Sequence, residues 1–275
     1  IVFSDILVVP EAMGQPYGFR EKGGIRMEFA IENPRDIKRF QVENASKRLD
    51  YVAKALRLLR EELGDEKALL GFCGSPWTLA CYAIEGGSVD GFPKALAFAK
   101  EQPKAFGALL EKFSRVLVDY LRLQASSGAD AIQIFDTWGS LCPDDRHEDW
   151  SLRWIREIAG SLDGKVPLIL YSKGSAHRLD ALANTGVQCL SLDHSLNLVE
   201  AKHSLGPDLA VQGNLDPALL DTNPSAVSSA AHDLLDRMSP HPGYIFNLGH
   251  GIRPTAKITC VEALAETVSQ HLPGS

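Results

Sequence analysis

Ala131-Ile132-Gln133-Ile134-Phe135-Asp136-Thr137-Trp138-Gly139 opens as a short apolar run and closes in a polar, glycine-bearing turn. A run of that length suits a strand buried on both faces of a parallel sheet. Immediately before it, the segment Pro103–Ser127 places Leu109, Leu110, Phe113, Val116, Leu117 and Tyr120 on one helical face. Gly128 stands where that helix hands over to the strand, and Gly186 occupies the same place further on.

The same order recurs outward in both directions. Strand-like runs at Val2–Val8, Ala68–Cys73, Pro167–Tyr171, Gln188–Leu192, Leu209–Gln212 and Tyr244–Leu248 bring the count to seven. Helical spacing is predicted over Val42–Leu63, Trp77–Ile84, Glu148–Ser161, Ala176–Asn184, Leu196–Ser204, Ser225–Met238 and Ala256–Gln270. Alternation of this kind without a break in composition implies an α/β fold with parallel strands. Most strands end in polar turns: Cys73-Gly74-Ser75-Pro76, Tyr171-Ser172-Lys173-Gly174, Leu192-Asp193-His194-Ser195, Gly213-Asn214-Leu215-Asp216 and Gly249-His250-Gly251. Polar residues at the C-terminal strand ends are what a barrel with a shared mouth requires, and no phosphate-binding fingerprint follows the first strand. The expectation is one (β/α)8 TIM barrel domain over residues 1–275. Gly18–Met27 reads as a glycine-bearing hairpin or loop at the mouth. The apolar run at Ile1–Val9 begins without Met, so the reading expects sequence upstream of Ile1, including an eighth strand.

The 275 residues carry 28 Lys and Arg against 35 Asp and Glu, a net charge of −7, with 45% apolar and 23% charged residues. These proportions suit a globular core and exclude a disordered or fibrous chain. The acidic balance argues against nucleic acid as a partner but allows an anionic substrate in a local basic pocket. No apolar run reaches the ~18 residues of a membrane span. The five cysteines are spread out and odd in number, with no CxxC, which suits reduced thiols and a cytoplasmic location.

There is no GxSxG, HExxH or P-loop, and the eight histidines form no metal pair. The reading is therefore an acid–base site with neither metal nor cofactor. Asp5 interrupts an apolar run, so its carboxylate either partners a backbone N–H or arginine, or faces the mouth. His250, between two glycines after a strand, is either a turn histidine or a proton-transfer and hydrogen-bonding group. Tyr82 lies in a helix where most tyrosines pack into a core. Phe135 and Thr137 flank Asp136 and alternate to the same side, as a packed ring and helix cap or as site groups.

Together these segments resemble the uroporphyrinogen decarboxylase family. The resemblance rests on Phe3-Ser4-Asp5-Ile6-Leu7, on Gly74-Ser75-Pro76-Trp77-Thr78-Leu79 through Tyr82 to Glu85-Gly86-Gly87, and on Gln133-Ile134-Phe135-Asp136-Thr137-Trp138. Gly213-Asn214-Leu215-Asp216-Pro217 and Phe246-Asn247-Leu248-Gly249-His250-Gly251-Ile252 complete it. It implies a single (β/α)8 barrel, a homodimer, and removal of CO2 from the four acetates of uroporphyrinogen III to give coproporphyrinogen III, without cofactor. It also implies that Asp5 accepts the pyrrole N–H groups, that Tyr82 stands by the reacting acetate, and that His250 contacts a carboxylate or pyrrole edge. Thr137 stands where the family commonly has Ser, and Phe135 packs on the macrocycle.

Two departures stand out. The family's arginine segment, a motif like R-Q-A-G-R-Y that binds substrate carboxylates, does not occur in the chain; it is expected upstream of Ile1, ordering when ligand binds. Asp193-His194-Ser195 replaces the usual Asp-Trp-Thr. Two other readings are a methyltransferase of the same fold, which needs a zinc-binding His-x-Cys that is absent here, and a non-catalytic tetrapyrrole-binding protein.

Overall fold

The computed structural model describes residues 1, 2, 4–21 and 23–271, which form two compact units. Phe3, from the first motif quoted above, lies outside the described residues, as do residues 272–275. The first unit is Ile1–Tyr171 with Thr185–Val187; the second is Ser172–Asn184 with Gln188–Ser275.

The first unit opens on α1 (Val8–Ala12), followed by an antiparallel hairpin of β1 (Tyr17–Phe19) and β2 (Ile25–Met27), as the Gly18–Met27 reading allowed. It continues through α2 (Ala45–Arg48), α3 (Asp50–Leu63), β3 (Leu70–Gly74) and α4 (Pro76–Glu85). Next come α5 (Pro93–Glu101), α6 (Pro103–Ser126), β4 (Ala131–Asp136), α7 (Arg153–Leu162) and β5 (Leu168–Ser172). Strand β3 pairs with β4 in parallel, from Leu70↔Ala131 to Gly74↔Phe135. The stripe read from α6 is the one the fold buries: Leu109, Leu110, Phe113, Val116, Leu117 and Tyr120 are each at most 1% exposed. Each such side chain contributes about 1.5–3 kcal/mol when it leaves water.

Three sequence readings need correction. Val2–Val8 is not a strand. The Val2 N–H donates to Leu70 O at 3.2 Å, then Asp5 takes a left-handed backbone (φ 66°) and the chain turns into α1. The apolar residues Leu7, Val8 and Val9 are buried as expected, but by a helix. Pro10 falls in its first turn, where a missing N–H costs nothing. The helix over Val42–Leu63 is broken at Leu49, which separates α2 from α3; Leu49, Val52 and Leu56 are buried but Leu59 is 38% exposed. The segment from Glu148 begins as a π-helical turn over Glu148–Leu152 before α7. Helix α5 was not read at all.

Inside β3, Gln124 from α6 bonds the backbone on both sides of Phe72: the Phe72 N–H donates to Oε1 at 2.8 Å, and Nε2 donates to Phe72 O at 3.0 Å. A Cβ at Gly71 would overlap that Oε1 and come within 3.2 Å of Cδ. Gly71→Ala is expected to cost about 2–4 kcal/mol in a urea unfolding curve, because it must expel a buried amide from two hydrogen bonds.

The second unit contains α8 (Leu179–Ala183), β6 (Cys189–Ser191), α9 (Leu198–Leu205), β7 (Ala210–Leu215), α10 (Pro224–Met238), β8 (Tyr244–Leu248) and α11 (Ile258–Gln270). β6, β7 and β8 are parallel, with Cys189↔Ala210 and Val211↔Tyr244 in register. Asn197 and Asn223 cap α9 and α10 by accepting backbone N–H groups, the role their short amides fill best. Leu220, Val227 and Cys260 form a buried cluster against which Leu248 and Leu264 pack.

All five cysteines are buried and free. Among the described residues no helix is long and apolar enough to cross a membrane.

Candidate active site

Helix α4 begins where Ser75 accepts the Thr78 N–H at 3.1 Å, with Pro76 in the first turn, and ends at Gly86 in the left-handed region (φ 81°). Every residue of α4 is buried except Tyr82. Tyr82 is thus the one residue of α4 that keeps partial access to solvent. Phe92 meets its ring edge-on at 5.2 Å. Burial raises the phenol pKa, hydrogen bonding from Trp138 and Ser88 opposes this, and the charge of Asp5 raises it again. Tyr82 is therefore a neutral O–H donor near pH 7.

Asp5 is half-buried, and its Oδ1 accepts the Leu7 N–H at 2.8 Å. The structural reading of this residue thus holds, since the carboxylate stabilises the turn into α1. It does not exhaust the side chain, because the Asp5 charge adds to the burial that raises the pKa of two phenols. One is Tyr82. The other is Tyr17 on β1, whose pKa is pushed up to about 12, first by burial and then by Asp5. Tyr17 was missed in the sequence; an aromatic on a glycine-bearing hairpin was the available signal.

At the end of β4 the alternation is as read. Phe135 and Thr137 are half-buried, and Asp136 between them is fully buried. Phe135 lies edge-on to Phe72 at 6.1 Å and to Tyr171 at 5.8 Å. Asp136 accepts Ser75 Oγ at 2.5 Å and Ser151 Oγ at 2.8 Å. Its carboxylate joins the ends of β3 and β4 and fixes where Phe135 and Thr137 stand.

In the second unit His250 is exposed and follows β8. Its pKa is lowered from 6.5 by loss of solvent around the ring, then by the Lys173 ammonium and by His194, with Asp193 opposing. Burial works to raise the Asp193 pKa, but hydrogen bonds from Ser195 and from the Gly174 N–H hold it below the usual carboxylate range. The replacement at His194 thus has an electrostatic effect on His250 that the sequence did not reveal. Among the described residues no three His, Cys, Asp or Glu side chains gather as a metal site would need.

The uroporphyrinogen decarboxylase (URO-D) family model matches residues 1–271. Proteins named uroporphyrinogen decarboxylase are similar over nearly the whole chain. That of Coxiella burnetii is 38% identical over 98% of this chain and 76% of its own length. That of Azotobacter vinelandii is 39% identical over 98% and 78%, and that of Methylococcus capsulatus 38% over 99% and 79%. Among solved structures, a methyltransferase from Methanosarcina mazei superposes with a TM-score of 0.81 at 19% identity, covering 98% of this chain and 79% of that one. At that identity the likeness speaks to fold alone, and the fold is α/β of the TIM-barrel type. A match that takes in the segments carrying Asp5, Tyr82, Thr137 and His250, joined to relatives near 40% identity, settles the kinship: the chain belongs to the uroporphyrinogen decarboxylase family.

Proposed function

We propose that residues 1–275 act as one barrel domain, a cytoplasmic enzyme that converts the four acetates of uroporphyrinogen III to methyls. It releases CO2 and gives coproporphyrinogen III in tetrapyrrole and heme biosynthesis. The observation that carries this reading is the half-buried Asp5 carboxylate within electrostatic reach of the Tyr82 phenol.

The chemistry explains why a carboxylate belongs there. Breaking the bond to CO2 leaves its electron pair on the side-chain carbon, which needs a sink. Protonation of the adjacent pyrrole carbon turns the ring into an iminium-like cation that accepts the pair. The exocyclic carbon then takes a proton to become a methyl, and the ring proton is returned, so no metal or cofactor takes part. Asp5 accepts the pyrrole N–H groups and lies where positive charge develops, the efficient use of a fixed anion. Tyr82 and Thr137 donate to the reacting acetate, Phe135 packs on the macrocycle, and His250 contacts a substrate carboxylate or pyrrole edge. The working form is a homodimer.

The direct test is release of CO2 and formation of coproporphyrinogen from uroporphyrinogen; porphyrin binding without CO2 release would favour a carrier instead. His250→Asn is expected to lower kcat/KM by roughly ten- to a hundredfold, a loss typical of one proton-handling or hydrogen-bonding group. Because its pKa is lowered from 6.5, His250 is neutral at pH 7 and gains charge only as the pH falls through that lowered value. Its contribution to stability is likewise complete above the unfolded value and is lost as the pH falls through the folded one. The acid limb of the parent profile should therefore lie below pH 6.5 and change in the Asn variant.

A further inference from the structure

The β1–β2 hairpin carries chemistry that the roles above leave unused. A cavity of about 880 Å3 runs along it, lined by Tyr17, Phe19, Arg20, Glu21, Arg26 and Glu28. Gly18 is paired across the hairpin with Arg26, and alternation puts Arg20 on the same face as Gly18. Two guanidinium groups thus share one face, with no side chain opposite Arg26 to cover it. Both arginines are exposed, and among the described residues neither side chain has an ion pair or hydrogen bond. Glu21 and Glu28 line the same cavity without closing one.

The hairpin is tied at its base to the residues that carry the reaction. Arg26 bridges Gly87, the Met27 N–H donates to Gly86 O at 3.0 Å, and the Ser88 N–H donates to Ile25 O at 3.0 Å. Gly86 ends α4, the helix of Tyr82, and Ser88 also bonds the Tyr82 phenol. On the other strand, Tyr17 is a wall of the cavity and lies in the field of Asp5. A tetrapyrrole with its reacting acetate at Asp5 and Tyr82 carries its other carboxylates on the rim of the macrocycle, several ångströms away.

We propose that Arg20 and Arg26 are positioning residues that hold carboxylates on that rim. The proposal rests on the decarboxylase reading and adds the hairpin to it. A guanidinium takes a carboxylate through two parallel N–H bonds, so a fixed pair sets both the position and the rotation of the ring. A substrate presenting several carboxylates at once outcompetes single glutamates for the same cations.

The test is the double variant Arg20→Ala/Arg26→Ala beside Arg20→Lys/Arg26→Lys, with the fold checked by circular dichroism. Both are assayed for decarboxylation across a salt series and for binding of oxidised, unreactive uroporphyrin. The Ala pair is expected to raise KM and the uroporphyrin Kd about tenfold or more, leave kcat within about threefold, and flatten the salt dependence of kcat/KM. The Lys pair should recover part of KM. A KM within twofold of the parent, or a fall in kcat with KM unchanged, overturns the proposal. A parent protein that releases no CO2 overturns the decarboxylase reading and this proposal with it, whereas an active parent and an indifferent variant overturn this proposal alone.

Discussion

Asp5→Asn is expected to lower kcat/KM by roughly a thousandfold while the melting temperature stays within a few degrees of the parent. Asn keeps two structural features of Asp5. Its side-chain oxygen still accepts the Leu7 N–H, and Asn is among the few residues that tolerate the left-handed backbone seen there. Only the charge is removed, and with it the anion proposed to offset the ring cation. Asp5→Ala is the contrasting variant, because it loses the charge, the turn hydrogen bond and the backbone tolerance together. It should lose a further 1–2 kcal/mol, about what a missing cap and a strained residue cost. Loss of the charge has a second signature, independent of turnover. Asp5 raises the pKa of both Tyr82 and Tyr17, so an ultraviolet titration of the Asn variant should show phenol ionisation moving to lower pH. Turnover near the parent level would remove Asp5 from the mechanism. An unchanged phenol titration would show that the carboxylate stands apart from Tyr82.

The sequence revealed the strands from β3 onward because short apolar runs between helical patterns mark them: β8 falls on the residues read for it, although it is only half-buried, and the buried strands β3 to β7 fall within a few positions. It misplaced the start of the chain for a physical reason. Leu7, Val8 and Val9 are apolar in either conformation, and what decides between strand and helix is the left-handed turn at Asp5, which no periodicity encodes. Helix α5 was passed over because Pro93–Glu101 buries only Ala95, Phe98 and Ala99, too narrow a stripe to stand out. At the candidate site, residue types alone left a structural role open for Asp5, Tyr82, Phe135, Thr137 and His250, and the family resemblance was what singled them out. Their surroundings were not legible. Tyr17 reaches Asp5, Ser75 and Ser151 hold Asp136, and His194 acts on His250 only through folding.

Gly249→Ala should be among the most damaging single substitutions in the second unit, and Gly251→Ala, two residues on, nearly silent. A Cβ at Gly249 would lie within 3.0 Å of the His194 N, Cβ and Cα atoms, whereas one at Gly251 meets nothing within 4 Å. Neither side of the first clash can yield. The Gly249 N–H donates to Leu215 O at 2.8 Å, which fixes the end of β8 against β7. On the other side, Asp193 accepts the Ser195 N–H at 2.9 Å, and Asn214 Nδ2 donates to Asp193 O at 2.9 Å and to Leu196 O at 2.8 Å, so the turn around His194 is pinned from both ends. Overpacking against fixed backbone belongs at the upper end of the usual 1–3 kcal/mol, or about 10 °C in melting temperature for a chain of this size. If His250 contacts the substrate as proposed, activity should fall further than stability alone explains, because a shift of ~1 Å in its ring would cost about a hundredfold. The Gly251 variant carries the same added methyl on the other side of His250 and controls for it, with an expected change inside ±0.5 kcal/mol. Equal melting temperatures for the two variants would mean that the His194 turn gives way freely, and that packing does not hold His250 in place.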